Sequence, residues 1–406
     1  MAGTFRKFPS LLGKFINCDL GIEITDSQKL QALSLYTWSQ AKNSGQIKII
    51  SGSTGVGKST LLLITSHLFN YHNIPSFITA PTNSAAFNLN GTSLHSVLKI
   101  TTQNEIKKKK LKKNSNGILL VDNGSILSQP LFQVIADFAL QAGIKVIIFY
   151  DPNQLPPIRA YPFFQDSILS PEIIENESIR HKEDYNFLLK CIVNKEISCL
   201  KHFNMRYNVS NRKMLINSID MVVFCNNSKV ESFNLTKHNY LMETKLQKEY
   251  RFRPSIKEQV DVKSIANKKL STSSVFCNEL IVAIGDKIEI TKNFKSFKSG
   301  QRGRIVDIKD DSIVVDFFQN QSPQVIPRIT IIFEENQKYF RQNGFALRLS
   351  WAMTVHKCMG LEFDMLYVDL SDAFIRGQTY TALSRVKSLE SLKLLTPLTC
   401  ENIIHY

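Results

Sequence analysis

The sequence has no Cys-x-x-Cys pair and no continuous apolar run of 18 residues. Its seven cysteines are scattered and odd in number, which argues against a disulfide framework or a zinc ribbon and favours a reducing, intracellular compartment. Because no apolar run is long enough to form a membrane-spanning helix, we expect no membrane partner. The first 18 residues contain no acidic residue and lack the apolar core of a secretory signal, and a mitochondrial presequence is the alternative there.

Acidic residues are scarce relative to basic ones. There are 50 Lys and Arg against 35 Asp and Glu, which gives a formal net charge of +15 over 406 residues. Such an excess favours a polyanionic partner, most often nucleic acid, although a basic surface can also serve solubility alone. The 43% of hydrophobic and 21% of charged residues are ordinary for a globular protein and exclude a wholly disordered chain or a coiled coil.

The chain length predicts two or three domains. Short β-rich runs alternate with amphipathic stretches, which predicts parallel sheets covered by helices on both faces. The predicted strands are Ile47–Ser51, Ser76–Ala80, Ile118–Asp122 and Lys145–Asp151 in a first set, and Met221–Cys225, Met365–Asp369 and Leu392–Leu395 in a second. Within the second set, residues 265–333 consist of short strand-like runs separated by Gly, Asp and Ser turns, which predicts a small inserted antiparallel barrel. Its predicted strands are Ile281–Ile290, Arg304–Ile308, Ser312–Phe317 and Arg328–Phe333.

Residues 52–59 match the phosphate-binding pattern G-x-x-x-x-G-K-[ST], after a predicted strand and at the start of a predicted helix. Glycines let backbone N–H groups close around an anion, and Lys58 can reach the terminal phosphates while the Ser59 hydroxyl ligates Mg²⁺. The alternative, a glycine-rich turn that binds nothing, is disfavoured by the strand–turn–helix context. We therefore predict binding of a nucleoside triphosphate with Mg²⁺. The residues predicted to hold the nucleotide here are Gly52, Ser53, Thr54, Gly55, Val56, Gly57, Lys58, Ser59 and Thr60.

Two further predicted strands end in polar side chains suited to the same chemistry. The strand ending at Asp122 supplies a carboxylate that can hold Mg²⁺ opposite Ser59. The strand ending at Asp151 continues into Gln154 on a Pro-stiffened turn. The phosphate-binding loop alone does not separate a motor protein from a nucleotide kinase or a transporter ATPase, and the segments that follow it decide between these classes.

From Thr25 to Leu395 the chain resembles a superfamily 1B helicase of the petite-integration-frequency (Pif) type, with RecD and Dda as relatives. The most specific matches are Trp351–Gly360 and Gly377–Arg385, the latter with its Tyr-x-Ala-Leu-Ser-Arg run. The resemblance implies an α/β fold of two tandem RecA-like motor domains, with a small SH3-like β-barrel inserted in the second.

The implied domain boundaries follow the order of the motifs. Residues 1–24 form a lead-in, 25–176 the first motor domain, 177–264 with 334–406 the second, and 265–333 the inserted barrel. A Lys-rich loop at 100–116 falls where related helicases carry a pin that splits the duplex. A solvated basic loop, binding of the nucleic-acid backbone and a nuclear-targeting patch are the alternatives for its lysines.

The implied activity is that of an ATP-dependent DNA helicase moving 5′→3′ on single-stranded DNA and coupling hydrolysis to unwinding, in replication, repair or recombination. Single-stranded and forked duplex DNA are the implied partners, and an RNA–DNA hybrid is a further candidate. We expect a monomer that acts in the nucleus or with a virus, with the mitochondrion as the alternative location.

The resemblance also assigns roles to single residues. Gln28 would read adenine, Gln154 would sense the γ-phosphate, and Arg180 and Arg385 would be the two arginine fingers. When an arginine finger and the phosphate loop lie on different domains, ATP binding closes the cleft between the domains and hydrolysis lets it open. The alternative for either arginine is a solvated surface charge. The implied catalytic set is Lys58, Asp122, Gln154, Arg180 and Arg385, and the implied DNA contacts are Thr82, Thr92, His95, His356 and Lys357.

The family usually has an Asp-Glu pair at the end of the predicted strand Ile118–Asp122, whereas here Asp122 is followed by Asn123. An amide cannot accept a proton, and losing a well-placed general base costs ~10²–10⁴-fold in rate. We therefore expect slowed hydrolysis, and the alternative function is a degenerate helicase that binds ATP and nucleic acid with little turnover. Tyr150, in place of a glycine, and Cys358-Met359, in place of Ala-Gln, are the other departures.

Overall fold

The computed structural model of the chain describes residues 24–41, 46–98, 117–164, 172–174, 178–207, 219–245, 248–255, 258–260, 270–271, 276–318, 322–335 and 338–404. Almost all of the predicted lead-in and the whole Lys-rich loop at 100–116 lie outside these residues.

The first half of the chain forms a six-stranded sheet in the order β3-β2-β4-β5-β1-β6, and every pairing in it is parallel. The four predicted strands are confirmed, to within a residue at their ends. Two-residue strands at the sheet edges, β3 and β6, were not predicted because two residues carry no periodicity. The strands are β1 (Ile47–Ser51), β2 (Ser76–Ala80), β3 (Thr92–Ser93), β4 (Ile118–Val121), β5 (Lys145–Tyr150) and β6 (Glu172–Ile173).

Helices cover both faces of this first sheet. In β4, Ile118 and Leu120 pack with the helices of one face, and Leu119 and Val121 pack with those of the other. Since successive residues of a strand point to opposite faces, a strand covered on both faces is apolar throughout. The helices are α1 (Asp26–Gln40), α2 (Lys58–Tyr71), α3 (Asn83–Asn88), α4 (Leu94–Leu98) and α5 (Gln129–Ala142).

The chain then enters a second unit through α6 (Glu183–Val193), α7 (Leu200–Asn204), β7 (Val222–Phe224) and α8 (Asn227–Lys245). It returns to this unit later with β19 (Ala352–Thr354), β20 (Leu366–Asp369), α9 (Gln378–Leu383), β21 (Leu392–Leu394) and α10 (Glu401–Ile404). The strands form a second parallel sheet in the order β19-β7-β20-β21, which confirms the second set of predicted strands. Strand β19 was not predicted. Within the described ranges, none of the helices combines the length and the apolar character needed to span a bilayer.

Between α8 and β19 lies an inserted β unit, residues 250–349, which contains a five-stranded antiparallel sheet in the order β15-β14-β13-β12-β18. Its buried side chains, such as Ile288, Ile305 and Val315, form a core of their own. The run predicted as one strand over Ile281–Ile290 is two strands separated by a turn. The strands are β8 (Tyr250–Phe252), β9 (Glu258–Gln259), β10 (Leu270–Ser271), β11 (Leu280–Val282), β12 (Lys287–Ile290), β13 (Arg302–Lys309), β14 (Ser312–Phe317), β15 (Gln324–Pro327), β16 (Ile329–Glu335), β17 (Lys338–Gly344) and β18 (Leu347–Leu349).

A buried histidine joins the inserted β unit to the second sheet. His238 of α8 has its Nδ1 2.7 Å from Asp286 Oδ2 and its Nε2 3.4 Å from Glu249 Oε2. Asp286 also accepts a hydrogen bond of 3.1 Å from the Trp351 indole Nε1. Burial alone lowers the pKa of His238, but hydrogen bonds to Asp286 and Glu249 and their charges outweigh it, so the pKa is raised. The imidazolium therefore acts as an ionic link between α8 and the inserted β unit.

We expect this link to stabilise the fold below the pKa of an unfolded histidine and to be lost as pH rises through the raised folded pKa. Each unit by which the pKa is raised corresponds to about 1.4 kcal/mol. The loss of unfolding free energy caused by His238→Gln should therefore be larger at pH 6 than at pH 9 in denaturant titrations. His202→Gln, at an exposed position on α7, is the control. Equal losses at both pH values for His238→Gln would contradict the assignment.

Candidate active site

The phosphate-binding loop connects β1 to α2, so the first N–H groups of α2 face an anion held in the loop. Gly55 and Gly57 have φ angles of +85° and +91°, which disfavour any residue with a Cβ. A Cβ on Gly55 would clash with Ser178 Oγ, and one on Gly57 with Gln28 Nε2. The glycines of the motif are thus required both by the backbone and by the close approach of two other segments.

Lys58 turns back over the loop that precedes it. Its Nζ donates hydrogen bonds of 2.7 Å to both Gly52 O and Ser53 O and lies 3.7 Å from Asp151 Oδ2. Burial lowers the pKa of Lys58, and the negative charges of Asp151 and Asp122 oppose this. The two carbonyl groups carry no net charge, whereas a bound phosphate would give the Lys58 ammonium group an anionic partner.

Ser59 and Asp122 are brought together as predicted for a magnesium site. Ser59 Oγ donates a 2.8 Å hydrogen bond to Asp122 Oδ2, and Asp122 is 3% exposed. Burial raises the pKa of Asp122, and the Ser59 hydrogen bond opposes the rise. A hydroxyl and a carboxylate side by side fit Mg²⁺, which prefers oxygen ligands and usually binds through one or two carboxylates plus substrate phosphates. No group of three or more His, Cys, Asp or Glu side chains converges as a metal site in the described part of the chain.

Gln154 follows β5 and lies against the second unit. Its Nε2 donates a 3.0 Å hydrogen bond to Asp151 Oδ2, whereas its Oε1 is buried and has no hydrogen-bond partner among the described residues. A buried acceptor without a partner costs free energy, so such atoms often mark a site where a ligand or water binds. The amide is thus oriented by Asp151 and keeps an acceptor available.

Arg385 reaches the phosphate-binding loop from the second unit. It is 2% exposed, and its Nη2 donates a 3.0 Å hydrogen bond to Thr54 Oγ1. The Thr54 backbone N–H also donates to the Tyr380 hydroxyl, at 3.0 Å. Two side chains at or just beyond helix α9 therefore contact one residue of the loop.

Arg180 also lies beside the loop, but its side chain is paired elsewhere. The Arg180 backbone N–H donates to Gly55 O at 3.3 Å, and its Nε lies 3.0 Å from Glu362 Oε2. Burial lowers the pKa of Arg180, and the positive charge of Arg385 adds to this, while Glu362 opposes it. Sequence reasoning missed Glu362, because a single glutamate outside a motif has no distinguishing pattern.

Gln28 lies beside Gly57 of the same loop. A capping box fixes it there: Thr25 Oγ1 accepts the Gln28 N–H at 3.2 Å, and Gln28 Oε1 accepts the Thr25 N–H at 3.1 Å. The cap therefore already uses the oxygen that a bidentate contact with adenine would need.

The residues expected to contact DNA lie on both units. Thr82 caps α3 by accepting the Ala85 N–H at 3.2 Å, while Thr92 in β3 and His95 in α4 are exposed. His356 and Lys357 follow β19, and burial lowers the pKa of both. The His356 Nε2 atom is buried and has no hydrogen-bond partner within the described residues.

Helix α3 connects these two groups of residues, because Asn88 Nδ2 donates a 3.1 Å hydrogen bond to Gly360 O, three residues after Lys357. The structure thus brings the two groups to the same boundary between the units.

The three departures from the family pattern have structural explanations. Asn123 has a φ of +53°, a left-handed conformation that asparagine adopts more readily than glutamate. Tyr150 packs against the rings of Phe163 and Phe164, with centroid distances of 5.7 and 5.5 Å. Cys358 and Met359 belong to the hydrophobic core of the second unit.

Comparison with known proteins shows which proteins this chain is similar to. A family model described as an AAA domain matches residues 37–179. The chain is 27% identical to ATP-dependent DNA helicase Pif1 of Campylobacter jejuni, over 85% of this chain and 88% of that protein. It is 25% identical to the Pif1 helicase of Bdellovibrio bacteriovorus, over 87% of this chain and 84% of the relative.

Among solved structures, Bacteroides Pif1 bound to single-stranded DNA has the same fold. The TM-score is 0.73 at 21% identity, over 94% of each chain. Candida albicans Pif1 helicase also matches with a TM-score of 0.73, at 18% identity and over 94% of this chain and 97% of the other.

The contact of Gly377 with Gln154 gives a test of how closely the two units must approach. Gly377 begins α9 with a φ of +77°, and a Cβ there would lie 2.7 Å from Gln154 C and O. We expect Gly377→Ala to lower the unfolding free energy more than Gly143→Ala, by about 1–3 kcal/mol, because both strain a positive φ but only the first creates a clash. Gly143 has a φ of +67° and open space around it. Denaturant unfolding measures the difference, and equal losses would show that the contact can relax.

Proposed function

We propose that this chain is a Pif1-type helicase of superfamily 1B. Its two parallel-sheet units would be RecA-like motor domains that hydrolyse ATP between them. The enzyme is an ATP-dependent DNA helicase, and we assign it 5′→3′ movement on single-stranded DNA. One observation carries the proposal: Arg385 of the second unit donates a 3.0 Å hydrogen bond to Thr54 in the phosphate-binding loop of the first. A nucleotide in the loop would therefore lie against side chains of both units.

The relatives support this function. The resemblance inferred from the motifs is confirmed, since the similar proteins of Campylobacter and Bdellovibrio are named ATP-dependent DNA helicases. The alternative of a degenerate binding protein is not favoured. A protein without turnover has no need of arginines beside the phosphate-binding loop, and both Arg180 and Arg385 lie there.

The chemistry follows from the positions of the side chains. Lys58 and the loop N–H groups would hold the β- and γ-phosphates, and Ser59 with Asp122 would hold Mg²⁺, which neutralises phosphate charge when bound. Gln154 Oε1 can accept a hydrogen bond from the attacking water and so orient it. Arg180 and Arg385 would stabilise charge on the transferred phosphoryl group, for which Arg180 would leave Glu362.

Phosphoryl transfer depends mainly on positioning and on charge stabilisation, so an orienting amide can serve where a general base is missing. This is why Asn123 need not abolish turnover.

DNA would bind along the boundary of the two units. We assign phosphate contacts to Thr82, Thr92 and His95 on the first unit and to His356 and Lys357 on the second. Closing the cleft on ATP would shorten the distance between the two groups, and opening it after hydrolysis would lengthen it, which moves the protein along the strand.

The finer organisation belongs to the same proposal. The motor domains would span 25–176 and the parts of 177–264 and 334–406 that lie outside the inserted β unit, and the SH3-like barrel predicted over 265–333 would lie within that unit. We propose a monomer acting on single-stranded and forked DNA, with an RNA–DNA hybrid as a further substrate, in the nucleus, with a virus or in the mitochondrion.

The first test is steady-state ATP hydrolysis with and without single-stranded DNA, together with unwinding of a forked duplex. We expect DNA to stimulate turnover of the parent. Lys58→Ala should lose ATP binding, because the ammonium group that pairs with the phosphates is gone, while single-stranded DNA binding persists. Lys190→Ala, at an exposed position on α6, is the control. Normal nucleotide affinity in Lys58→Ala would refute the assignment of the phosphate-binding loop.

A second test concerns the attacking water. We expect Gln154→Ala to reduce DNA-stimulated turnover by at least ~10-fold with ATP affinity retained, because the acceptor that orients the water is lost. Asn123→Ala should reduce turnover less, since its amide is not assigned to the water. Parallel measurement of turnover and nucleotide binding separates chemistry from binding. The reverse order of effects would assign the water to Asn123.

A further inference from the structure

We infer that Thr54 is a positioning residue for Arg385: its hydroxyl holds the guanidinium group of the second unit beside the phosphate-binding loop. The inference rests on the proposed ATP hydrolysis. It adds a role for the Thr54 side chain to a motif that otherwise acts through backbone N–H groups, Lys58 and Ser59.

The contact is buried and defined on both sides. Thr54 is 4% exposed and Arg385 is 2% exposed. Within its own unit, Arg385 donates from Nε to Thr381 O at 2.9 Å and from Nη2 to Ser384 Oγ at 2.8 Å. The hydrogen bond from Nη2 to Thr54 Oγ1, at 3.0 Å, is the contact that crosses to the first unit. Loss of the Thr54 hydroxyl would therefore remove the hydrogen bond from the guanidinium group to the first unit, while its two hydrogen bonds within the second unit remain.

The backbone around Thr54 is held by the second unit as well. The Thr54 N–H donates to the Tyr380 hydroxyl at 3.0 Å, and the adjacent Gly55 O accepts the N–H groups of Ile179 and Arg180 at 2.9 and 3.3 Å. A β-branched threonine also has few χ1 rotamers. The direction of the Thr54 hydroxyl is consequently fixed before any phosphate enters the loop.

A fixed guanidinium group acts mainly on the chemical step. If Arg385 already lies beside the loop, it reaches the γ-phosphoryl group by a small reorientation and does not have to be ordered at the moment of reaction. Preorganised charge of this kind stabilises the transition state more than the bound substrate, so it raises kcat more than it lowers KM. Removing the Thr54 hydroxyl should therefore reduce kcat and leave KM for ATP nearly unchanged.

The experiment compares Thr54→Val, which keeps the shape and removes the hydroxyl, with Thr54→Ser, which keeps the hydroxyl. We expect kcat of DNA-stimulated hydrolysis to fall on the order of 10-fold in Thr54→Val, as for loss of a hydrogen bond to a charged group, and to be retained in Thr54→Ser. Thr65→Val is the matched control, since Thr65 of α2 is buried and its hydroxyl donates to Leu61 O of its own helix.

A double-mutant cycle separates positioning from a structural effect. In an Arg385→Ala background, Thr54→Val should cost no further rate, because the group that it positions is absent. Single-turnover hydrolysis keeps low rates measurable in these variants. A full additional loss in that background, a change in KM alone, or a parent-like kcat in Thr54→Val would each overturn the inference while leaving the helicase assignment in place. A parent that does not hydrolyse ATP on DNA would overturn both.

Discussion

The contact between the phosphate-binding loop and helix α9 is the constraint on which the candidate site depends. The loop belongs to the first sheet and α9 to the second, so neither unit contains a complete set of phosphate-binding and charge-stabilising groups. Thr54 joins them through its backbone and its side chain, and Gly377 permits the approach because it has no Cβ. In the proposed mechanism, a nucleotide in the loop would therefore act on the spacing of the two units.

Burial of charge around this contact explains why the site suits a polyanionic ligand. Burial lowers the pKa of Lys58 and Arg180 and raises that of Asp122, so each charged form is disfavoured by its surroundings. Buried charges are stable only when they are paired. Lys58 and Arg180 have carboxylate neighbours, and a nucleotide with its metal ion would offer stronger pairing to the whole group. In the proposed mechanism, the bound nucleotide would therefore favour close contact between the two units.

The inserted β unit is attached by a different kind of contact. Its own core is apolar, but its junction with the second sheet contains His238, Asp286 and Glu249, together with Lys287 and Arg304 at 5.3 and 5.6 Å from the Trp351 ring centroid. Hydrogen-bonded and ionic contacts have stricter geometry than apolar packing. Such a junction fixes the orientation of the inserted β unit relative to the second sheet.

The sequence by itself determined the features that depend on local pattern. The strands of both parallel sheets, the phosphate-binding loop and the pairing of Ser59 with Asp122 could all be predicted, because periodicity and motif context are readable within short segments. The tertiary structure alone decided which residues meet across the two units. Thr54 contacts Tyr380 and Arg385 from 326 and 331 positions away, and Arg180 pairs with Glu362, which has no motif to mark it. It also decided the left-handed backbone of Asn123, since that conformation depends on how the surrounding segments pack.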